Sequence, residues 1–394
     1  MKPVVLAFAA YYLPGYRGGG PIRTIANMVE RLADDFDFRI VTRDRDLHDQ
    51  CAYENVKVDA WNTVGKAQVF YASPTTLGLA GVTKLLRETH YDVLYLNSAF
   101  DPVFTLRPLL ARRLGLVERR PAVVAPRGEF SEGALSLKSW KKSPFIKLAR
   151  LVNFYGGVLW HASTELEALD ICRAIGSSFD RIGIAADVAI APYLLEGGSA
   201  ELSGGKRAIE RSDGLLKLCF LSRIAPMKNL DFALTVLAGV KANTVFHIYG
   251  PQEDAPYWAQ CQTLISRLPP NVEVTYKGSV DPSEVLAVIS EYDVFFVPSR
   301  GENFGHVFSE ALSAGVPILV SDRTPWLGLV EKGIGWDISL DQPEEFAKVL
   351  DSVSAWDNAM HQSISGACIK YASEQAENQD VLERNRQLFL SVLS

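Results

Sequence analysis

The chain has few cysteines, no long apolar run and no excess of basic charge, and each shortage removes a class of function. Its five cysteines, at 51, 172, 219, 261 and 368, are scattered and form neither a CxxC pair nor a Cys/His cluster. That argues against a disulfide scaffold or structural zinc and for a reducing, cytoplasmic compartment. No 18 consecutive apolar residues occur, so no helix spans a membrane. The one export-like stretch is Lys2 followed by residues 4–13, with Ala7 and Ala9 spaced like a cleavage site. It reads as a buried first strand, because a glycine-rich turn and an amphipathic helix follow at once. A formal net charge of −6 excludes a dedicated nucleic-acid binder. Neither half has GxGxxG after a strand, which disfavours a nicotinamide-dependent dehydrogenase.

What is present is 394 residues, enough for two or three domains at roughly 100–200 residues each. Short runs of Val, Ile, Leu and Phe alternate with helical periodicity: residues 4–8, 38–42, 93–96, 122–125 and 157–160, then 217–221, 244–249, 272–276, 293–297 and 318–320. Alternation of this length builds βαβ crossovers with strands buried on both faces. The expectation is α/β, with two Rossmann-like parallel-sheet domains. The break falls at residues 195–214, rich in Gly, Ser and charge. Domains are therefore expected over 1–195 and 205–374, with the terminal helical stretch 375–394 joining the first. Charge is uneven: the first 195 residues carry 24 Lys and Arg against 20 Asp and Glu, the rest 16 against 26. The first half is thus free to face an anionic partner.

Residues 297–322 read strand, loop, helix, Gly stop, strand. A helix starting near Gly305 points the free N–H groups of Gly305, His306 and Val307 outward, a site for phosphate. At 100° per residue, positions 308, 311, 312 and 314 form one apolar face with Glu310 on its margin. A carboxylate there can accept two hydrogen bonds from a ribose diol. Glu302 sits eight residues earlier, in the loop, beyond the phosphate. The segment FLSRIAPMKN places Arg223 and Lys228 after a strand, two cations suited to a diphosphate. In IYGP, Gly250 ends a strand where close backbone approach to a ligand is possible.

In the first half, YRGGGPIRT (residues 16–24) follows the first strand, and its glycines, Gly19 and Gly20 among them, allow the loop to meet a phosphate or a sugar; a tight structural turn is the other reading. Arg127 also follows a strand. Residues 135–154 mix Lys138, Lys141, Lys142, Lys147 and Arg150 with Trp140, Phe145, Ile146, Leu148, Leu151 and Phe154. That suits contact with anionic lipid headgroups, and equally a helix packing one face on its own sheet. Asp44 and Asp46 form a DxD, read as structural because it lies far from the diphosphate loops. His161 also reads as structural, with Ser163 as an N-cap.

Together these residues resemble the family 4 retaining glycosyltransferases. GENFGHVFSEALSAGVPILVSD is similar to that family's E-x7-E region, with Glu302 and Glu310 as the two acids; FLSRIAPMKN resembles its Arg and Lys loop, IYGP its Gly-Pro turn, and YRGGGPIRT its N-terminal glycine loop. The resemblance implies the GT-B fold, two domains facing across a cleft, with the donor nucleotide sugar held mainly by the second and the acceptor by the first. It implies no bound metal or cofactor. Arg223 and Lys228 would stabilise the leaving diphosphate, Glu310 would hold the ribose, and Glu302 would orient the donor sugar. Asn303, Phe304 and Gly305 would present N–H groups to phosphate and sugar, and Gly20 would close over the diphosphate. Many members have a His where this chain has Arg127, so Arg127, with Gly19, is assigned to phosphate or acceptor binding.

The implied partners are a UDP- or GDP-linked sugar and a saccharide or lipid-linked saccharide, with peripheral contact to an anionic membrane and no nucleic acid. The alternatives are a nucleotide-sugar epimerase, which would turn over without acceptor, and a non-enzymatic two-domain sugar-binding protein, which would have no use for Arg223 and Lys228.

Overall fold

The computed structural model describes residues 2–136, 139–188 and 214–393. They form two compact units, Met1–Val188 with Asn378–Ser394, and Ala189–Glu377. The break expected at residues 195–214 lies outside the described residues, Gly214 apart.

The first unit is built on an eight-stranded sheet: β1 (Val4–Phe8), β2 (Asp37–Arg43), β3 (Trp61–Val64), β4 (Ala67–Ala72), β5 (Val93–Leu96), β6 (Ala122–Val124), β7 (Leu159–Ala162) and β8 (Ile182–Ile184). Their order is β3-β4-β2-β1-β5-β6-β7-β8, parallel except for the antiparallel β3–β4 pair. Strand β1, VVLAF, is buried at every position, as a strand covered by helices on both faces must be. The helix Gly20–Leu32 follows it and buries Ile22, Ile25, Met28, Val29 and Leu32.

The second unit carries six parallel strands: β9 (Leu215–Leu221), β10 (Asn243–Tyr249), β11 (Val272–Gly278), β12 (Val294–Phe296), β13 (Ile318–Ser321) and β14 (Gly335–Ile338), in the order β11-β10-β9-β12-β13-β14. In each sheet the winding reverses once, between β1 and β5 and between β9 and β12. Open α/β sheets take ligands outside the carboxyl ends of the strands at such points.

Four strands lie beyond those read from the sequence. β3 and β4 form a hairpin around Gly65, which has φ 55°, and β8 and β14 are three- and four-residue edge strands containing a glycine, too short to show alternation. The strand expected at 157–160 begins two residues later, because Gly157 (φ 77°) lies in the preceding turn. The C-terminal stretch is two helices. Asn358–Ala376 packs on His306–Ser313 in the second unit. Gln379–Leu390 packs on the first sheet, where the Phe389 ring lies 5.2 Å from Phe36 and 5.6 Å from Tyr95. Among the described residues no helix is long and apolar enough to cross a membrane.

Candidate functional site

In the second unit, two loops leave neighbouring strands at the reversal point. After β9 the chain passes Arg223 and makes one 3-10 turn, Pro226–Lys228, which ends at Asn229 in the left-handed region (φ 62°). After β12, residues 297–305 lead into the helix His306–Ser313. Asn229 Nδ2 donates to the Pro298 carbonyl at 2.9 Å, and Arg300 Nε donates to Asn229 Oδ1 at 2.7 Å. Arg300 Nη2 reaches Asp231 Oδ2 at 2.9 Å, and its backbone N–H reaches the Met227 carbonyl at 2.9 Å. This clamp holds Lys228 in an ion pair with Glu302, both side chains about one-seventh exposed. Arg223 pairs with Glu253 from the loop after β10, at 2.9 Å.

The helix begins at His306, as the sequence predicts, and is capped by Gly305 at φ 79°. A Cβ on Gly305 would meet the Phe308 ring at 2.5 Å and Glu302 Cγ at 3.0 Å, so this position needs glycine both for its backbone and for its space. Phe308, Ala311 and Leu312 are buried and Glu310 is half-buried. Trp326 fixes the preceding residue: its ring N–H donates to the Phe304 carbonyl at 2.5 Å, and its ring lies 5.9 Å from that of Phe304. Asn229, Arg300 and Trp326 were not read from the sequence, since an Asn, an Arg and a Trp in separate loops carry no shared periodicity. The Asn at the end of a strand-loop segment was the available signal, because Asn tolerates left-handed backbone.

Gly250 corrects one expectation. Its φ is 126°, and a Cβ there would lie 1.9 Å from the Ser222 carbonyl oxygen. The close approach it permits is to the protein's own β9 loop.

In the first unit the glycine-rich loop turns at Gly19 (φ 73°), which caps the helix starting at the exposed Gly20. Asp46 Oδ2 accepts the backbone N–H of Tyr16 at 2.9 Å and of Arg17 at 3.1 Å, while Oδ1 accepts that of Leu47 at 2.8 Å. Asp44 pairs with Arg45 Nε at 2.8 Å. Of the DxD carboxylates, Asp46 therefore shapes this loop and Asp44 is held by its neighbour Arg45.

Arg127 is also corrected. Its side chain is 8% exposed; it pairs with Asp187, donates to the Tyr95 hydroxyl, and gives Nε–H to Asn97 Oδ1 at 2.9 Å. Asp187 accepts from Thr24 Oγ1 at 3.0 Å. His161 Nε2 donates to the Ala185 carbonyl at 2.8 Å, so Nδ1 accepts from Tyr95 at 2.9 Å. Burial first, and Arg127 second, push the His161 pKa down to about 4. A guanidinium so committed is an internal strut joining strand ends, so phosphate or acceptor contact does not fit Arg127. The N-cap expected at Ser163 is Thr164, whose side chain accepts the Glu167 N–H, while the Glu167 carboxylate takes Ser163 N and Oγ.

The helix Ser139–Leu151 packs one face inward and leaves an apolar stripe exposed. Ala149 is buried and Phe145 and Ile146 half-buried, while Trp140 is 73% and Leu151 83% exposed. On a 100° wheel, Trp140, Leu151, Pro144 and Leu148 form one outward stripe, flanked by Lys141 and Lys147. Lys138 lies outside the described residues.

Residues 206–368 match the family model described as glycosyl transferases group 1. An uncharacterized 41.2 kDa protein in the cps region of Klebsiella pneumoniae is 23% identical over 325 residues, 79% of this chain and 82% of its own. Among solved structures, Anabaena HepE in complex with UDP and glucose superposes with a TM-score of 0.68 at 16% identity, covering 99% of both chains. WaaG, a glycosyltransferase involved in lipopolysaccharide biosynthesis, gives 0.63 at 16% identity over 97% of this chain and 98% of its own. The chain thus has the GT-B fold, and its second unit matches the group 1 glycosyl transferases.

Proposed function

We propose that the chain is a retaining, metal-independent glycosyltransferase that moves a sugar from a UDP- or GDP-linked donor to a saccharide or lipid-linked saccharide, in surface polysaccharide synthesis. The observation that carries this reading is the convergence of Arg223, Lys228 and Glu302 at the carboxyl ends of β9 and β12, beside the helix His306–Ser313. Similarity to a cps-region protein and to the fold of WaaG supports the polysaccharide context.

In this reading Arg223 and Lys228 exchange their carboxylate partners for the donor diphosphate. Glu302, released from Lys228, accepts hydrogen bonds from the sugar. Glu310 takes the ribose, and residues 303–307 meet phosphate and sugar. The anomeric C–O bond breaks with its electron pair leaving on the diphosphate. The acceptor oxygen bonds to the same face, and its proton passes to a leaving phosphate oxygen. Such a step needs positioning and charge stabilisation rather than a protein nucleophile. The first unit, with Gly19 in its glycine-rich loop, is assigned the acceptor. The cation-flanked stripe of Trp140, Leu148 and Leu151 is assigned to peripheral contact with an anionic membrane.

Calorimetric titration with UDP, GDP, ADP and CMP, with and without EDTA, tests the reading. Selective, EDTA-insensitive binding of one nucleoside diphosphate is expected. Absence of binding, or binding that requires a divalent ion, overturns it.

A further inference from the structure

Arg43 ends β2 in the first unit, and its guanidinium lies over two aromatic rings, 5.7 Å from the Tyr11 centroid and 5.1 Å from that of Phe104. Its Nε is buried without a hydrogen-bond partner. Among the described residues no ion pair and no hydrogen bond reaches this guanidinium. Arg107, Arg112 and Arg127, by contrast, each donate to a carbonyl or a carboxylate. The acids nearest in sequence are committed elsewhere, Asp44 to Arg45 and Asp46 to the backbone of the glycine-rich loop.

Position adds a second observation. Tyr11 follows β1, Arg43 ends β2 and Phe104 lies in the π-helical turn Pro102–Leu106 after β5. These are three neighbouring strands around the point where the sheet order reverses, the place where such sheets bind ligands. π-helical turns recur at functional sites. Tyr11 is packed under the glycine-rich loop, since a Cβ on Gly18 would meet Tyr11 Cβ at 2.9 Å. Both rings turn a face towards this cation, and its planar fork matches an oxyanion held by two parallel N–H···O bonds.

We propose that Arg43 binds an oxyanion, a phosphate or carboxylate carried by the acceptor, with the rings of Tyr11 and Phe104 beside it holding the cation in place. The assignment to the acceptor rests on the proposed function above; the anion site itself does not. An acceptor without such a group leaves this guanidinium without a partner, so Arg43 selects for acidic or phosphorylated acceptors over neutral ones.

The test is calorimetric titration of the full chain with inorganic phosphate, glucuronate and glucose, in the presence of saturating UDP or GDP, whichever the wild type binds, so that Arg223 and Lys228 are occupied. Phosphate or glucuronate is expected to bind the wild type at least tenfold more tightly than glucose does, and which of the two binds identifies the group. Arg43→Gln should lose at least tenfold of that affinity, and Arg43→Lys, which keeps the charge but not the fork, several-fold. Both variants should bind that nucleotide within twofold of the wild type. Equal anion affinity in wild type, Arg43→Gln and Arg43→Lys, or no anion binding by the wild type, overturns the proposal. Failure of the wild type to bind either UDP or GDP overturns the proposed function instead, and the comparison of wild type with Arg43→Gln still reads the anion site.

Discussion

Arg300 and Asn229 lock the two loops of the second unit together, with Arg300 Nε donating to Asn229 Oδ1 at 2.7 Å while Asn229 Nδ2 holds the Pro298 carbonyl at 2.9 Å. Lys228 precedes Asn229 and Glu302 follows Arg300 by two residues, so the clamp sets the ion pair at the proposed donor site.

Arg300→Ala removes two side-chain hydrogen bonds of a half-exposed guanidinium, each worth about 1 kcal/mol or less at such exposure. The expected result is a fall of about tenfold in kcat/KM for the donor, roughly 1.4 kcal/mol, with the fold intact by circular dichroism and partial rescue by Arg300→Lys. Unchanged kinetics would show that Lys228 and Glu302 are placed without the clamp.

Gly250→Ala puts a methyl group 1.9 Å from the Ser222 carbonyl oxygen at a φ of 126°. Strain of this kind costs roughly 2–4 kcal/mol. Thermal unfolding should show a clear drop in Tm, and a variant as stable as the wild type would mean that the β9 and β10 loops separate easily.

Where a residue's role depends on local chain chemistry, the sequence was readable. The βα rhythm located ten strands, and the run from Gly301 to Asp322 placed the helix start at Gly305 and the acids on either side of it. What escaped depends on partners distant in sequence. Arg127 follows a strand just as a ligand-binding cation would, yet Asp187, 60 residues away, occupies it. Arg43 is an ordinary strand end in the sequence, because the rings of Tyr11 and Phe104 that it lies over come from separate segments. β3 and β4 were missed because β3, WNTV, is not fully buried at any position, which leaves no alternation to read.

His161 is buried neutral, with its pKa pushed down from 6.5 to about 4. The unfolded chain binds a proton that the folded chain refuses, so this histidine contributes stability fully above about pH 6.5 and loses it as pH falls towards 4. Its contribution to the slope is at most about 1.4 kcal/mol per pH unit. Chemical denaturation between pH 7 and 4.5 should show stability falling, and His161→Gln should flatten that dependence while lowering stability at pH 7. An equally steep profile in the variant would assign the acid sensitivity to other groups.

Trp140 and Leu151 are exposed on one stripe of the helix Ser139–Leu151. Burying each in a lipid interface contributes about 1.5–3 kcal/mol at full burial. Trp140→Ser with Leu151→Ser should lower binding to vesicles containing an anionic phospholipid by at least tenfold, with nucleotide affinity unchanged. Lys141→Gln with Lys147→Gln should weaken binding to anionic but not to neutral vesicles. Cosedimentation measures both, and a wild type that does not bind anionic vesicles would contradict the peripheral assignment.

The most direct test of the donor site is calorimetric titration of the Arg223→Ala, Lys228→Ala double variant with the nucleoside diphosphate that the wild type binds, and with the corresponding nucleoside. The account predicts a loss of at least a hundredfold for the diphosphate and little change for the nucleoside, because the two cations meet only the phosphates. An unchanged affinity for the diphosphate would contradict it.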